Sequence, residues 1–178
     1  MQAITTDTRS SANSRVDPFE RLFLEEYPRV VAIANRVLAD RQEAEDVAQE
    51  VFIDFHRLHG PEVAYAAPWL HRAAAHAALN VIRSRTRRAR RENAYGETQS
   101  NFAPDPAAQV EQTETRRLVR SALLRLPTKG ATVLALRYGG LSYAEVASAI
   151  GVNVGQIGTL LKRAEAALRR EVERGTSG

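Results

Sequence analysis

Residues 141–164, LSYAEVASAIGVNVGQIGTLLKRA, leave this part of the chain little conformational choice. Ser142 is placed to cap a helix, with Glu145 three residues on at the spacing of a capping box. Gly151 stands where that helix should end, and glycine takes the left-handed backbone of a helix terminus without steric cost. Ala147 is small enough for a second helix to cross closely, while Ile150, Val152, Ile157 and Leu161 fall where the two helices and their turn would pack. Together the cap, the glycine and the apolar positions predict a helix-turn-helix; a plain two-helix corner of a bundle is the alternative.

The rest of the chain repeats helical spacing between breaks. DPFE at 17–20 combines a cap at Asp17, proline at the first helical position and Glu20 three residues after the cap. Phe19, Leu22, Phe23, Val30, Ala34, Val37 and Leu38 then keep one face, with Pro28 expected to bend or interrupt the helix after Tyr27. RQEAEDVAQEVFIDFHRL, 41–58, puts Ala44, Val47, Ala48, Val51, Phe55 and Leu58 on one stripe and leaves an acidic, glutamine-bearing face. After Gly60 and Pro61, Pro68 opens a long helix that ends in six arginines within nine residues, Arg83, Arg85, Arg87, Arg88, Arg90 and Arg91. No strand pattern competes, so the fold class is all-α: two small helical domains joined by a flexible linker.

The expected boundaries follow from where periodicity fails. Residues 1–16 are Ser-, Thr- and Asn-rich without apolar period and read as a flexible tail. Residues 17–91 form the first domain. At 92–112, ENAYGETQSNFAPDPAAQVEQ carries three Gly/Pro breaks and few bulky apolar residues, and reads as a linker spanning about 25 Å as a relaxed coil. The second domain takes 113–174, and 175–178 is a short tail.

Composition excludes more than it selects. The absence of cysteine removes disulfides, thiolate metal sites and cysteine nucleophiles, and suits a reducing cytoplasm. No apolar run approaches the roughly 20 residues a membrane helix needs, so no membrane insertion is expected. The four histidines show no ligand spacing and no nucleophile has a paired base, so neither an enzyme nor a cofactor is expected. A formal charge of +4 leans toward an anionic partner, and the arginines concentrate that charge.

In a DNA-reading helix-turn-helix the first turns of the second helix enter the major groove, where Arg, Lys, Asn or Gln read base edges. Gln156 is the sole such residue in the first turn. Gly158, Thr159, Lys162 and Arg163 hold the next exposed positions, and Gly155 leaves room for a phosphate at the helix N-terminus.

AEDVAQEVF, WLHRAAAHAALNVIRSRTRR, the linker, and LRLPTKGATVLALRYGGLSYAEVASAIGVNVGQI occur in that order and together resemble the small extracytoplasmic-function (ECF) group of bacterial RNA polymerase sigma factors, over roughly residues 18–173. The resemblance implies a protein that binds core RNA polymerase and directs promoter-specific transcription initiation. It makes 17–91 the region-two domain and 113–174 the region-four domain. It implies polymerase contact through Glu45, Asp46, Gln49 and Glu50 to the largest subunit's clamp helices, with the flap as a further contact. It implies recognition of the single-stranded −10 element by Tyr65, Arg72, His76, Asn80, Arg83, Arg85, Arg87 and Arg88, with the loop from His59 to Ala67 as pocket wall. It assigns the −35 duplex to Ser142, Gly155, Gln156, Gly158, Thr159, Lys162 and Arg163. An anti-sigma factor or other protein regulator, a monomeric free state and a cytoplasmic location are expected with it.

Four positions depart from the family pattern: His76 stands where Asn is usual, Asn80 where Asp is usual, and Gly158 and Leu160 where basic residues are common. Trp69 opens an amphipathic helix and is expected in the core rather than as a stacking platform. The alternative functions are a two-domain helix-turn-helix regulator that is no polymerase subunit, and an adaptor whose helix-turn-helix surface binds protein.

Overall fold

A computed structural model describes residues 17–94 and 108–176; the expected tail at 1–16, linker residues 95–107 and the last two residues of the 175–178 tail lie outside them. Among the described residues there are seven helices: α1 (Pro18–Leu38), α2 (Arg41–Leu58), α3 (Ala66–Ala94), α4 (Ala108–Arg125), α5 (Thr128–Tyr138), α6 (Tyr143–Ile150) and α7 (Val154–Thr176).

α1, α2 and α3 pack as one bundle. Asp17 caps α1 through a bond from the Phe19 N–H, and Asp40 caps α2 through one from Glu43. α1 runs as one helix through Pro28, which lies on its exposed face. The carbonyl that Pro28 cannot satisfy belongs to Leu24, also exposed, where water can take the place of the missing N–H. Inside, Ile33, Leu38, Phe55, Leu70 and Leu79 are fully buried. So are His71 and, nearly, its partner Glu26: Nε2 of His71 stands 2.7 Å from Oε2 of Glu26 and ties α3 to α1. Trp69 packs on this core with its ring 5.4 Å from that of Phe55.

α4 to α7 form the second bundle, with Leu126, Val133, Leu136, Val146, Ile157 and Leu161 buried. The helix-turn-helix is built as the sequence predicts. Ser142 and Glu145 close the capping box on each other, Gly151 ends α6 at φ 69°, and the Val152 N–H reaches the Ala147 carbonyl at 3.1 Å. Ile150 is only half-buried, and Val146, Ala147 and Ala149 fill the interior instead.

The two bundles also meet along a seam in which α5 and α6 lie on α3, and α5 lies on α1. Gly139, at the end of α5, lies against Ile33 of α1. Polar contacts cross the same seam. Arg29 pairs with Glu145 at 2.5 Å, Arg83 donates to the Thr128 hydroxyl at 3.4 Å, and Arg36 sits 5.5 Å over the Tyr138 ring. Arg120 donates to the Leu38 carbonyl, one of the groups left without a helical partner where α1 ends.

Candidate functional site

Three surfaces carry the residues singled out by the sequence. The first is the outer face of α2. Because Val47, Ala48, Val51 and Phe52 must face the bundle, Asp46, Gln49 and Glu50 are forced outward, and all three are exposed. Glu45 is half-exposed and accepts from Nε of Arg41 at 2.8 Å, a pair one turn apart. The exposed side of α2 thus offers carboxylates and an amide, a surface suited to basic side chains. Beside it, Phe19, Phe23, Gln49, Phe52, Ile53, His56 and Arg57 line a shallow apolar groove of about 310 Å³, with Ile53 half-exposed at its edge. The sequence reading missed this groove, although Ile53 is a bulky apolar residue off the apolar stripe of α2.

The second surface is the length of α3. Positions 72, 76, 80 and 83 advance by about one turn each, so Arg72, His76, Asn80 and Arg83 form one stripe. Asn80 accepts from Arg83 at 3.4 Å. Partial burial, with Arg72 and Arg83 beside it, holds the His76 imidazole below its usual pKa, so this stripe keeps its charge on the arginines and a neutral ring between them. The arginine run does not act as one patch. Arg83 and Arg87 face α4 across a cleft shared with Thr86, Ser121 and Arg125. Arg85 and Arg88 lie on the other flank, lining a groove of about 510 Å³ with Asn80, Arg91 and Glu50. Arg85 is paired with Glu43 of α2. Counting charges along the sequence hides this division, whereas 100° per residue separates the two flanks directly.

Tyr65 precedes α3 and is half-exposed, its hydroxyl 3.2 Å from Nδ1 of His59. The loop 59–65 is therefore pinned at both ends by side chains. His59 was singled out by the sequence reading only as the start of the pocket wall.

The third surface is the start of α7. Gly155, Gln156, Gly158, Thr159, Lys162 and Arg163 are all exposed, while Ile157, Leu161 and Ala164 face inward. The Gln156 side-chain oxygen accepts from the Asn153 N–H at 3.2 Å, the reach-back half of a capping box. Its amide N–H₂ remains as a donor for base acceptors. The spacing Asn153-x-x-Gln156 signals this cap in the sequence, but there Gln156 was read as a base contact alone. Ser142 is exposed, and its hydroxyl accepts from the Glu145 N–H at 3.3 Å, so it serves the first helix of the motif. The hydrogen bonds from Ser142, with Arg29 behind them, hold the Glu145 carboxyl down at about 2.

Both bundles match known families. Residues 22–88 match Sigma-70 region 2, and residues 116–168 match Sigma-70, region 4. Among similar proteins, the RNA polymerase sigma-H factor of Pseudomonas aeruginosa is 29% identical over 168 residues, covering 87% of this chain and 86% of its own. The ECF RNA polymerase sigma factor SigM of Mycobacterium tuberculosis is 30% identical over 155 residues, covering 85% and 76%. Among solved structures, CnrH in complex with the cytosolic domain of CnrY shares the fold at a TM-score of 0.52 and 21% identity, covering 88% of each chain.

Proposed function

The chain belongs to the ECF group of RNA polymerase sigma factors, which direct polymerase to promoters, and from that premise we propose how its surfaces divide the task. The α2 face of Glu45, Asp46, Gln49 and Glu50 docks on core polymerase at the clamp helices. The α3 stripe of Arg72, His76, Asn80 and Arg83, with Tyr65 before it and Arg85, Arg87 and Arg88 after it, takes the unpaired −10 strand. Exposed aromatic and cationic side chains are what single-strand binding requires; Tyr65 and Arg72 supply both, and the later arginines flank the strand's path on two sides of α3. Gly155, Gln156, Gly158, Thr159, Lys162 and Arg163 approach the −35 duplex, with Ser142 as support for the motif. In this reading 17–91 and 113–174 are the two functional domains and 92–112 joins them, although residues 92–94 continue α3, 108–112 open α4, and 175–176 still belong to α7.

The observation that carries this reading is the coincidence of two region matches, in order, with three exposed faces of the right chemistry: acidic on α2, basic on α3, and polar on the first turns of α7. The protein acts as a binding subunit without catalysis of its own, and works in the cytoplasm, where polymerase is. No described helix is long and apolar enough to cross a membrane. A protein regulator of the anti-sigma class is its natural control. One solved structure of the same fold, CnrH, is in complex with another protein, the cytosolic domain of CnrY.

The test is reconstitution. Purified protein added to core polymerase should form a stable complex and start transcripts at defined genomic positions, mapped by sequencing their 5′ ends. Absence of core binding, or binding with start sites no different from core alone, rejects the proposal.

A further inference from the structure

The wall of the expected −10 pocket is held by a ladder of four rings, of which the function above uses only Tyr65. Phe55 is fully buried in the bundle. The His59 ring lies 5.3 Å from Phe55 and 5.1 Å from Trp69, and meets Tyr65 edge-to-face at 5.5 Å and 89°. Backbone fixes the same residue: the His59 N–H closes α2 on the Phe55 carbonyl at 2.8 Å. Tyr65 is the last rung, 49% exposed, with its hydroxyl within 3.2 Å of Nδ1 of His59.

Two physical consequences follow. A half-exposed tyrosine on a loop ordinarily has rotamer freedom that a stacking ligand must remove, at a cost to affinity. Here the hydroxyl is tethered and one side of the ring is braced, so much of that freedom is lost before any ligand arrives. The exposed remainder of the ring is then a pre-set apolar surface next to the cationic stripe that starts at Arg72, and an unpaired base with its phosphate satisfies both.

We propose that His59 is a positioning residue for −10 recognition, holding Tyr65 through the Nδ1 hydrogen bond as the platform on which one unpaired base of the −10 strand stacks. This rests on the sigma-factor reading and adds to it the residue that sets the platform. His59 does not touch DNA in this scheme. Its effect passes through Tyr65.

The experiment uses full-length protein assembled with core polymerase. The probe is single-stranded DNA of the −10 segment of a promoter mapped by transcript sequencing, with 2-aminopurine placed at each position in turn. Tyr65→Ala should weaken strand binding roughly tenfold, as loss of one stacked base implies, and abolish fluorescence quenching at one position. His59→Phe keeps a ring in the ladder but removes the nitrogen, and Tyr65→Phe removes the hydroxyl. Each should cost about threefold, the size of one net hydrogen bond. The double variant should cost no more than either single one, because both remove the same bond. His59→Asn, whose side-chain oxygen can take the place of Nδ1, should recover most of the loss. Core binding and thermal midpoint should stay at wild-type values in all of them.

Additive losses, wild-type strand binding by His59→Phe, or losses that track a falling thermal midpoint would overturn the positioning role while leaving the sigma-factor reading intact. A wild-type chain that fails to bind core overturns that reading, and this one with it.

Discussion

A Cβ built on Gly139 would stand 2.7 Å from the Ala135 carbonyl oxygen of its own helix, 2.8 Å from Cγ1 and 2.9 Å from Cα of Ile33, so the end of α5 meets α1 with space for a hydrogen and nothing larger. The backbone of Gly139 is ordinary, at φ −76° and ψ −4°, and any residue could adopt it. Contact, not conformation, demands glycine there. Gly139→Ala should therefore strain the seam, lowering stability by about 1–3 kcal/mol, the usual range for overpacking, and widening the molecule in small-angle X-ray scattering. An unchanged radius and midpoint would show that the two bundles do not meet this way in solution.

Glu145 links the helix-turn-helix cap to Arg29, and its carboxyl is held at about 2, below its usual 4.5, by Ser142 first and Arg29 after. A depressed folded pKa means that ionised Glu145 stabilises the fold above about 4.5 and that this contribution fades as pH falls toward 2. The stability gap between wild type and Glu145→Gln should be constant at neutral pH and close progressively between those values. Urea midpoints at several pH values measure it, and a gap independent of pH would contradict the assignment.

Asp46 is exposed at the centre of the α2 face. Asp46→Arg reverses its charge without touching the bundle interior and should weaken core polymerase binding by about tenfold or more, as close interfacial charge pairs do. Duplex binding by α7 and the thermal midpoint should be unaffected. Equal loss of both binding activities would point to damage of the fold instead.

Gly158 is open to solvent, its nearest neighbour being a Tyr143 ring carbon 4.0 Å from where a Cβ would stand. Gly158→Arg should thus be accommodated, gain up to about 1 kcal/mol of helix stability, and add one cation toward DNA. Promoter duplex affinity should rise, and the log–log salt slope should steepen by about one unit. A slope that stays put would remove this position from the DNA-facing surface.

His71 and Glu26 lie 45 residues apart and meet inside the first bundle, with side-chain exposures of 2% and 13%. His71→Leu leaves the largely buried Glu26 carboxyl without its partner, and should cost about 3 kcal/mol. Glu26→Gln, which can still hydrogen-bond, should cost distinctly less. Equal losses from the two changes in thermal unfolding would mean that packing, not the polar contact, is what His71 supplies.

What the sequence made legible is local. The cap at Ser142, the terminating Gly151 and the inward Ile157 and Leu161 follow from neighbours within a few residues, and the structure places them as expected. What escaped it depends on distant partners. Nothing near His71 announces Glu26, and nothing near Arg29 announces Glu145, 116 residues away. The tether reading separated the bundles but had no means of seeing Gly139 against Ile33. Other misses were in the text itself. The split of the arginines into two flanks follows from helical angle, and the Asn153–Gln156 cap follows from spacing. In both cases the residue type suggested DNA so readily that its geometric duty went unread. Of the two outcomes expected at Pro28, interruption does not occur: α1 is one helix, because a strong breaker is tolerated where the lost bond faces water.

The two glycines at the start of α7 leave the exposed face of its first turns largely blank, with nothing within 4 Å of a Cβ at Gly155 and a single ring edge at Gly158. Side chains installed there would alter what the helix touches outside the protein and leave the interior packing as it is. If the proposed −35 role holds, the second bundle becomes a writable scaffold, on which exposed positions can be changed one at a time while its interior and the first bundle stay as they are.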